Sequence, residues 1–118
     1  MIVPIRERRT FQALRTNGTR VRRGPLSVVF VADDANGPPR VAYAMSKRVG
    51  GAVVRNRLRR RLRAICSDLA RTGRIPPGAL LFSAGPEAAR RNPDELRNDV
   101  VCLLDALQAH RFRAQVDR

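Results

Sequence analysis

Two periodicities divide this chain. Residues 26–32 (LSVVFVA), 40–46 (RVAYAMS) and 79–84 (ALLFSA) are short apolar runs rich in β-branched and aromatic side chains. Each predicts a strand, with a further short one near Thr19–Arg22. Residues 33–39 (DDANGPP) are dense in turn formers and predict that 26–32 and 40–46 form a hairpin. From 51 to 71 the period changes: Val54, Leu58, Leu62, Ile65 and Leu69 recur every three or four residues, as on one stripe of a long helix. The segment GRIPPG (73–78) ends it. Asn92, Pro93 and Glu95 then supply a cap, a first-turn proline and a capping-box acid. Leu96, Val100, Leu103, Leu104 and Leu107 continue as the stripe of a last helix. At the other end residues 1–9 read as extended. Thr10 reads as the cap of a short helix that runs to Asn17 and stops at Gly18.

The resulting order is α-β-β-β-α-β-α, an α+β chain folded as a small α/β sandwich. Its 118 residues fit a single domain spanning 1–118. Alternation places Leu26, Val28, Phe30, Val41, Tyr43, Met45, Leu80 and Phe82 on one sheet face, to meet the two long helices. The other face carries Ser27, Val29, Val31, Ala42, Ala44, Ser46, Ala79 and Ser83, which are mostly small. Such a face fits a shallow open groove, the preferred reading, or a surface covered closely by the first helix.

Charge changes the picture. Lys plus Arg total 24 against 10 Asp plus Glu, a formal net charge of +14, and Lys47 is the only lysine. A chain this basic attracts polyanions, nucleic acid first and an anionic membrane surface second. Residues 20–63 hold 12 basic residues and two acids, Asp33 and Asp34, whereas 90–118 hold six arginines and five acids. A genome-wide preference for arginine codons would not strip acids from one stretch. The asymmetry therefore points to a localised anion-binding surface. No run approaches the roughly 20 apolar residues of a membrane span, and the N-terminus lacks the apolar run of a signal peptide. The chain reads as cytoplasmic, with Cys66 and Cys102 as reduced core thiols.

The basic surface has a definite address. Six arginines (55, 57, 59, 60, 61 and 63) fall in one short stretch without an acid. On a helix Asn56, Arg59, Arg60 and Arg63 point away from the apolar stripe, Arg57 and Arg61 to one side, and Arg55 near the apolar edge. Like charges four apart cost tenths of a kcal/mol per pair in an isolated helix. An RNA backbone is the natural neutraliser. A DNA major groove is a geometric alternative. Membrane attachment would require the apolar stripe that the core needs.

This stretch resembles the signature of the bacterial ribonuclease P protein family, in which a V-S-K-K-like segment and a glycine turn lead into A-V-x-R-N-R. Here the matching residues are Met45-Ser46-Lys47-Arg48, Gly50, Ala52-Val53-Val54-Arg55-Asn56-Arg57, Leu58, Arg60 and Arg63. The likeness extends to the first helix ending at Gly18, to Arg40-Val41 and to the last strand and helix. It implies a ribosomal-protein-like sandwich with a left-handed βαβ crossover through helix 51–71. It implies that Lys47, Arg48, Arg55, Asn56, Arg57, Arg59, Arg60 and Arg63 face a catalytic RNA. A cleft made by Phe11, Arg15, Val29, Ala44 and Ser46 is implied to hold the single-stranded 5′ leader of precursor tRNA. Relatives often carry aromatics where this chain has Arg15 and Val29, and a glycine where it has Ala42. Base stacking in the cleft is then weaker, with Arg15 compensating in part.

Protein-borne catalytic machinery is sparse. His110, the only histidine, cannot form an acid–base pair of histidines or a multi-histidine metal site. The resemblance implies the protein subunit of a hydrolase whose RNA carries catalysis. No catalytic or metal-ligating residue is expected in the protein, Mg2+ is held mainly by the RNA, and no protein partner is obligatory. The alternative is a ribosomal or RNA-assembly protein that binds structured RNA without a nuclease role. A dimeric DNA-binding factor and a stand-alone nuclease fit less well.

Overall fold

The computed structural model describes residues 2–32 and 37–116, so Asp33 and Asp34 lie outside the described residues. The helices and strands follow in the order β1 (Val3–Pro4), α1 (Arg8–Asn17), β2 (Thr19–Arg23), β3 (Leu26–Ala32), β4 (Arg40–Met45), α2 (Ala52–Arg71), β5 (Gly78–Ala84) and α3 (Pro93–Val116). Short 3-10 turns at Lys47–Val49 and Pro86–Arg90 precede the two long helices. This is the expected α+β order with one strand added. Val3–Pro4, read as merely extended, pairs parallel with Arg40–Val41. Helix α1 starts at Arg8 after Glu7, so Thr10 is not its cap. Instead Thr10 is buried in the helix and its hydroxyl accepts from Arg40 Nη1 at 3.1 Å.

The sheet order is β1-β4-β5-β3-β2. The expected hairpin between 26–32 and 40–46 is therefore corrected: β5 lies between these strands, antiparallel to β3 and parallel to β4. Their ends stand two strand spacings apart, about 10 Å. A seven-residue connection spans that gap, whereas a tight hairpin turn would not. The hairpin that does form joins β2 to β3 through Gly24-Pro25.

Strands β4 and β5 are parallel neighbours joined through α2, and the hand of that crossover follows from chirality. Val41 turns its side chain toward α2 and α3, and its carbonyl accepts from Ile5 N–H at 3.3 Å. For an L-residue in a strand running upward with its side chain toward the viewer, the backbone N–H and C=O point right. So β1 lies right of β4 and β5 lies left. A path that rises along β4, crosses over the helical face and returns on the left is left-handed, against the usual rule.

Burial divides along the two faces. Leu26, Val28, Phe30, Val41, Leu80 and Phe82 meet Leu58, Leu62 and Leu69 of α2 and Leu96, Val100, Leu103 and Leu107 of α3. Helix α2 lies over β4, and α3 over β2 and β3. Cys66 is buried in this core, and burial holds its thiol pKa up at about 11, so it stays protonated at neutral pH. Cys102, expected in the core, is exposed on α3. His110 is exposed.

The start of α3 matches its sequence signature. Asn92 Oδ1 accepts from Glu95 N at 2.8 Å, and Glu95 Oε1 accepts from Asn92 N at 3.0 Å. Asn92→Ala removes one bond and leaves Glu95 without its reciprocal partner. A loss of about 1 kcal/mol is expected, read as a fall in melting temperature of roughly 4 °C. An unchanged melting curve would show that α3 is held by packing alone.

Candidate nucleic-acid interface

Helix α2 has two working sides. Leu58 and Leu62 are buried, while Asn56, Arg60 and Arg63 are exposed on the opposite side and Arg57 is exposed to one side. Arg55, Arg59 and Arg61 are half-buried along the flanks. Arg59 Nη1 donates to Asn56 Oδ1 at 2.7 Å, which fixes one guanidinium fork in the ridge. The Arg63 guanidinium lies 6.0 Å from the centroid of the Tyr43 ring, itself stacked on Phe82. Of the expected RNA-facing set, Asn56, Arg60 and Arg63 thus form a ridge on α2, with Arg57 exposed beside it and Arg55 and Arg59 half-buried on the flanks.

Nothing within the described protein neutralises that ridge. Among the described residues, none of the six arginines from Arg55 to Arg63 pairs with a carboxylate. The single acid of α2, Asp68, lies beyond the cluster and is engaged by Arg97 at 2.7 Å and Arg71 at 3.2 Å. The hydrogen bond from Arg97 holds its carboxyl below the usual range, so it remains an anion committed to α3. Nor does α2 carry an acid in its first turn. The positive end of the helix dipole thus adds to the arginine field, which makes the ridge an anion attractor.

The turn before α2 extends this surface. Lys47 and Arg48 are exposed, while Val49 is buried and pins the turn to the core. Gly50 adopts φ 150, where an L side chain is disfavoured, and the chain swings there into α2. Ser46, expected in the leader cleft, caps this turn: its Oγ accepts from Arg48 N at 3.1 Å. Val53, which the sequence reading passed over, is 71% exposed beside the ridge and offers an apolar surface there.

The opposite sheet face carries α1, and both sequence readings of that face hold in part. Leu14, Ile5 and Ala79 form a second, small core with Phe11, Val29, Val31, Ala42 and Leu81 around it. Val29 therefore packs beneath α1 and is not open cleft floor. Leu81, left out of the small-residue face, also belongs here. Beyond α1 the next row across the sheet is Arg22, Ser27, Ser83 and Ala44 in register. Going round α1 at about 100° per residue, Thr10 lies about 40° to one side of Leu14, and Phe11 and Arg15 lie about 60° and 100° to the other. Thr10 meets Arg40, at the far end of β4 from Ala44. Phe11 and Arg15 thus lie on the side of α1 toward this row, in which Arg22 and Ala44 are exposed, Ser83 is half-buried and Ser27 is buried. Arg20 and Arg22 share this face, since Val21 between them packs on the main core. The sequence reading missed both, although the TRVRR alternation signalled them.

No helix among the described residues is long and apolar enough to cross a membrane. The described residues also bring no three His, Cys, Asp or Glu side chains together.

A protein-family model described as Ribonuclease P matches residues 3–108. The ribonuclease P protein component of Beutenbergia cavernae is 44% identical over 97 residues, covering 80% of this chain and 81% of that one. The corresponding component of Thermobifida fusca is 38% identical over 124 aligned residues, covering 93% and 83%. Among solved structures, the RNase P protein of Staphylococcus aureus aligns with a TM-score of 0.78 at 20% identity, covering 88% of this chain and 94% of that one. The RNase P protein from Thermotoga maritima aligns at 0.73 and 23% identity, covering 86% and 94%. The structural likeness is one of fold, and the sequence matches carry the kinship: this chain belongs to the ribonuclease P protein family.

Proposed function

We propose that this chain is the protein subunit of ribonuclease P, docking on the catalytic RNA through α2 and holding the 5′ leader of precursor tRNA in the cleft beside α1. The observation that carries the reading is the arginine ridge, whose guanidinium groups find no carboxylate among the described residues. A folded RNA offers phosphates at the density such a ridge needs, and bidentate forks suit them. The cleft on the other face adds what a purely structural RNA-binding protein would not need.

The division of labour follows from the residues available. The chain has a single histidine, so it cannot form an acid–base pair of histidines, and the described side chains bring no three potential metal ligands together. Phosphodiester hydrolysis, with its Mg2+, is then assigned to the RNA. The protein contributes by neutralising phosphates and by fixing the leader so that the scissile bond lies where the RNA acts, a gain of orientation. Phe11 supplies the one aromatic surface of the cleft wall, and Arg15 a guanidinium plane one turn later. The Lys47–Arg48 turn joins the two faces, as it follows Ala44 at the cleft floor and leads into the ridge.

Phe11→Ala in the reconstituted holoenzyme is expected to reduce the preference for precursor over mature tRNA by about five- to tenfold, the low end of the range for one base–aromatic stack. Affinity for the RNA subunit stays unchanged. Because Phe11 also packs in the small core, Phe11→Leu separates the roles: it keeps the packing, loses the stack and should lose the preference too. Retained preference in both variants would remove Phe11 from the leader path. The whole reading is tested by reconstitution. The chain should let a bacterial ribonuclease P RNA process precursor tRNA at low Mg2+, and the chain alone should not cleave.

A further inference from the structure

The cleft floor does not end at Ser27 and Ser83. Both also line a cavity of about 610 Å3 at the far end of the sheet, where Arg20 and Arg22 form one wall and Glu87 stands on the rim. Two tight turns shape the end of this cavity, and Gly85 N donates to Pro25 O at 2.9 Å between them. The geometry points to a second backbone station on the RNA path: Arg20 and Arg22, above a serine floor, grip a phosphate of the leader farther from the cleavage site than the segment beside Phe11. This rests on the proposed reading of the α1 cleft and adds the part of the substrate that reading leaves unbound.

Three observations carry it. Arg20 and Arg22 are exposed and pair with no carboxylate among the described residues, although Arg74, Arg91 and Arg97 each find one. The two arginines lie two residues apart on one strand face, about 7 Å along the sheet, so both can reach one chain running across it. At the floor Ser27 is buried, while the half-buried Ser83 can donate its hydroxyl to a phosphate oxygen or a 2′-hydroxyl and reads no base. The continuous floor from Ala44 through Ser83 and Ser27 to Arg22 is a track one side chain deep. A single strand fits such a track and a duplex does not. Glu87 sets the polarity: its carboxylate repels a backbone on the outer rim and leaves the arginine wall as the favoured side.

The test uses the holoenzyme and precursor tRNAs with two leaders, one just filling the α1 cleft and one several nucleotides longer. For the native chain the longer leader should bind more tightly. Arg20→Ala/Arg22→Ala should abolish that gain, a loss of roughly three- to tenfold, and flatten the salt dependence by about 0.7 per arginine. Short-leader binding and RNA-subunit affinity stay as they were. Glu87→Gln should strengthen long-leader binding. A neutral methylphosphonate linkage in the distal leader should weaken the native complex and have no further effect on the double variant. Equal losses for both leaders, or no loss for either, would overturn the distal station. The Phe11 variants read the near segment separately. If they retain the precursor preference, the cleft reading itself fails; if they lose it while the arginine variants behave as native, only the extension fails.

Discussion

Replacing Arg57 and Arg60 together with alanine is expected to lower affinity for ribonuclease P RNA by roughly ten- to a hundredfold at moderate salt. Both side chains are exposed, and neither makes a hydrogen bond, ion pair or ring contact within the described protein. Their only unsatisfied role is toward an external anion. The slope of log affinity against log salt should become shallower by about 0.9 for each phosphate that the variant no longer neutralises. Stability should move the other way. Removing two like charges from an acid-free helical stretch relieves repulsion worth tenths of a kcal/mol per pair. A variant that melts no lower than the native chain yet binds RNA more weakly and with less salt dependence would fit the ridge. Unchanged affinity across the salt range would refute the assignment of α2 as the docking surface. Arg59 is a poorer probe, because its loss also strands Asn56.

Gly18→Ala is expected to destabilise the fold by about 1–3 kcal/mol. Backbone strain is not the cause, since Gly18 has φ -72. The cause is space: a Cβ there would strike the Leu14 carbonyl in the last turn of α1 and the Val29 side chain on β3. The Leu14 clash is with backbone, so relief requires the last turn of α1 to open at Gly18, and the Val29 clash pushes that end away from the sheet. That opens the small core of Leu14, Ile5 and Ala79 and moves Phe11 and Arg15 away from the cleft floor. Chemical denaturation should show a lower midpoint. At a temperature where the variant remains folded, precursor preference should fall while RNA-subunit affinity holds, because α2 packs on the other face. A native midpoint would mean that α1 is not seated on Val29 as described.

Much of this architecture is legible in the sequence. The stripe from Val54 to Leu69 dictates which side of α2 is buried, and the exposed arginines follow as its complement. The Asn92–Glu95 pair marks a helix start by chemistry local to four residues. Alternation in 26–32, 40–45 and 79–84 correctly separates the face of Phe30, Tyr43 and Phe82 from that of the small residues. Other positions mislead for identifiable reasons. Thr10 has the right chemistry for a cap, but Glu7 starts the helix and Arg40 claims the hydroxyl. Val29 shares the cleft face, yet α1 sits on it.

By itself, then, the sequence determined the elements, the inward side of each and the acid-free ridge, because periodicity and capping act over a few neighbouring residues. Only the tertiary structure decided that β5 enters between β3 and β4, that Val3–Pro4 joins the edge, and that beyond α1 Ala44 and Arg22 stay exposed at the two ends of a row whose Ser27 is buried. Strand order and helix placement depend on which distant surfaces close together, and nothing within one element encodes the identity of its neighbour across the sheet.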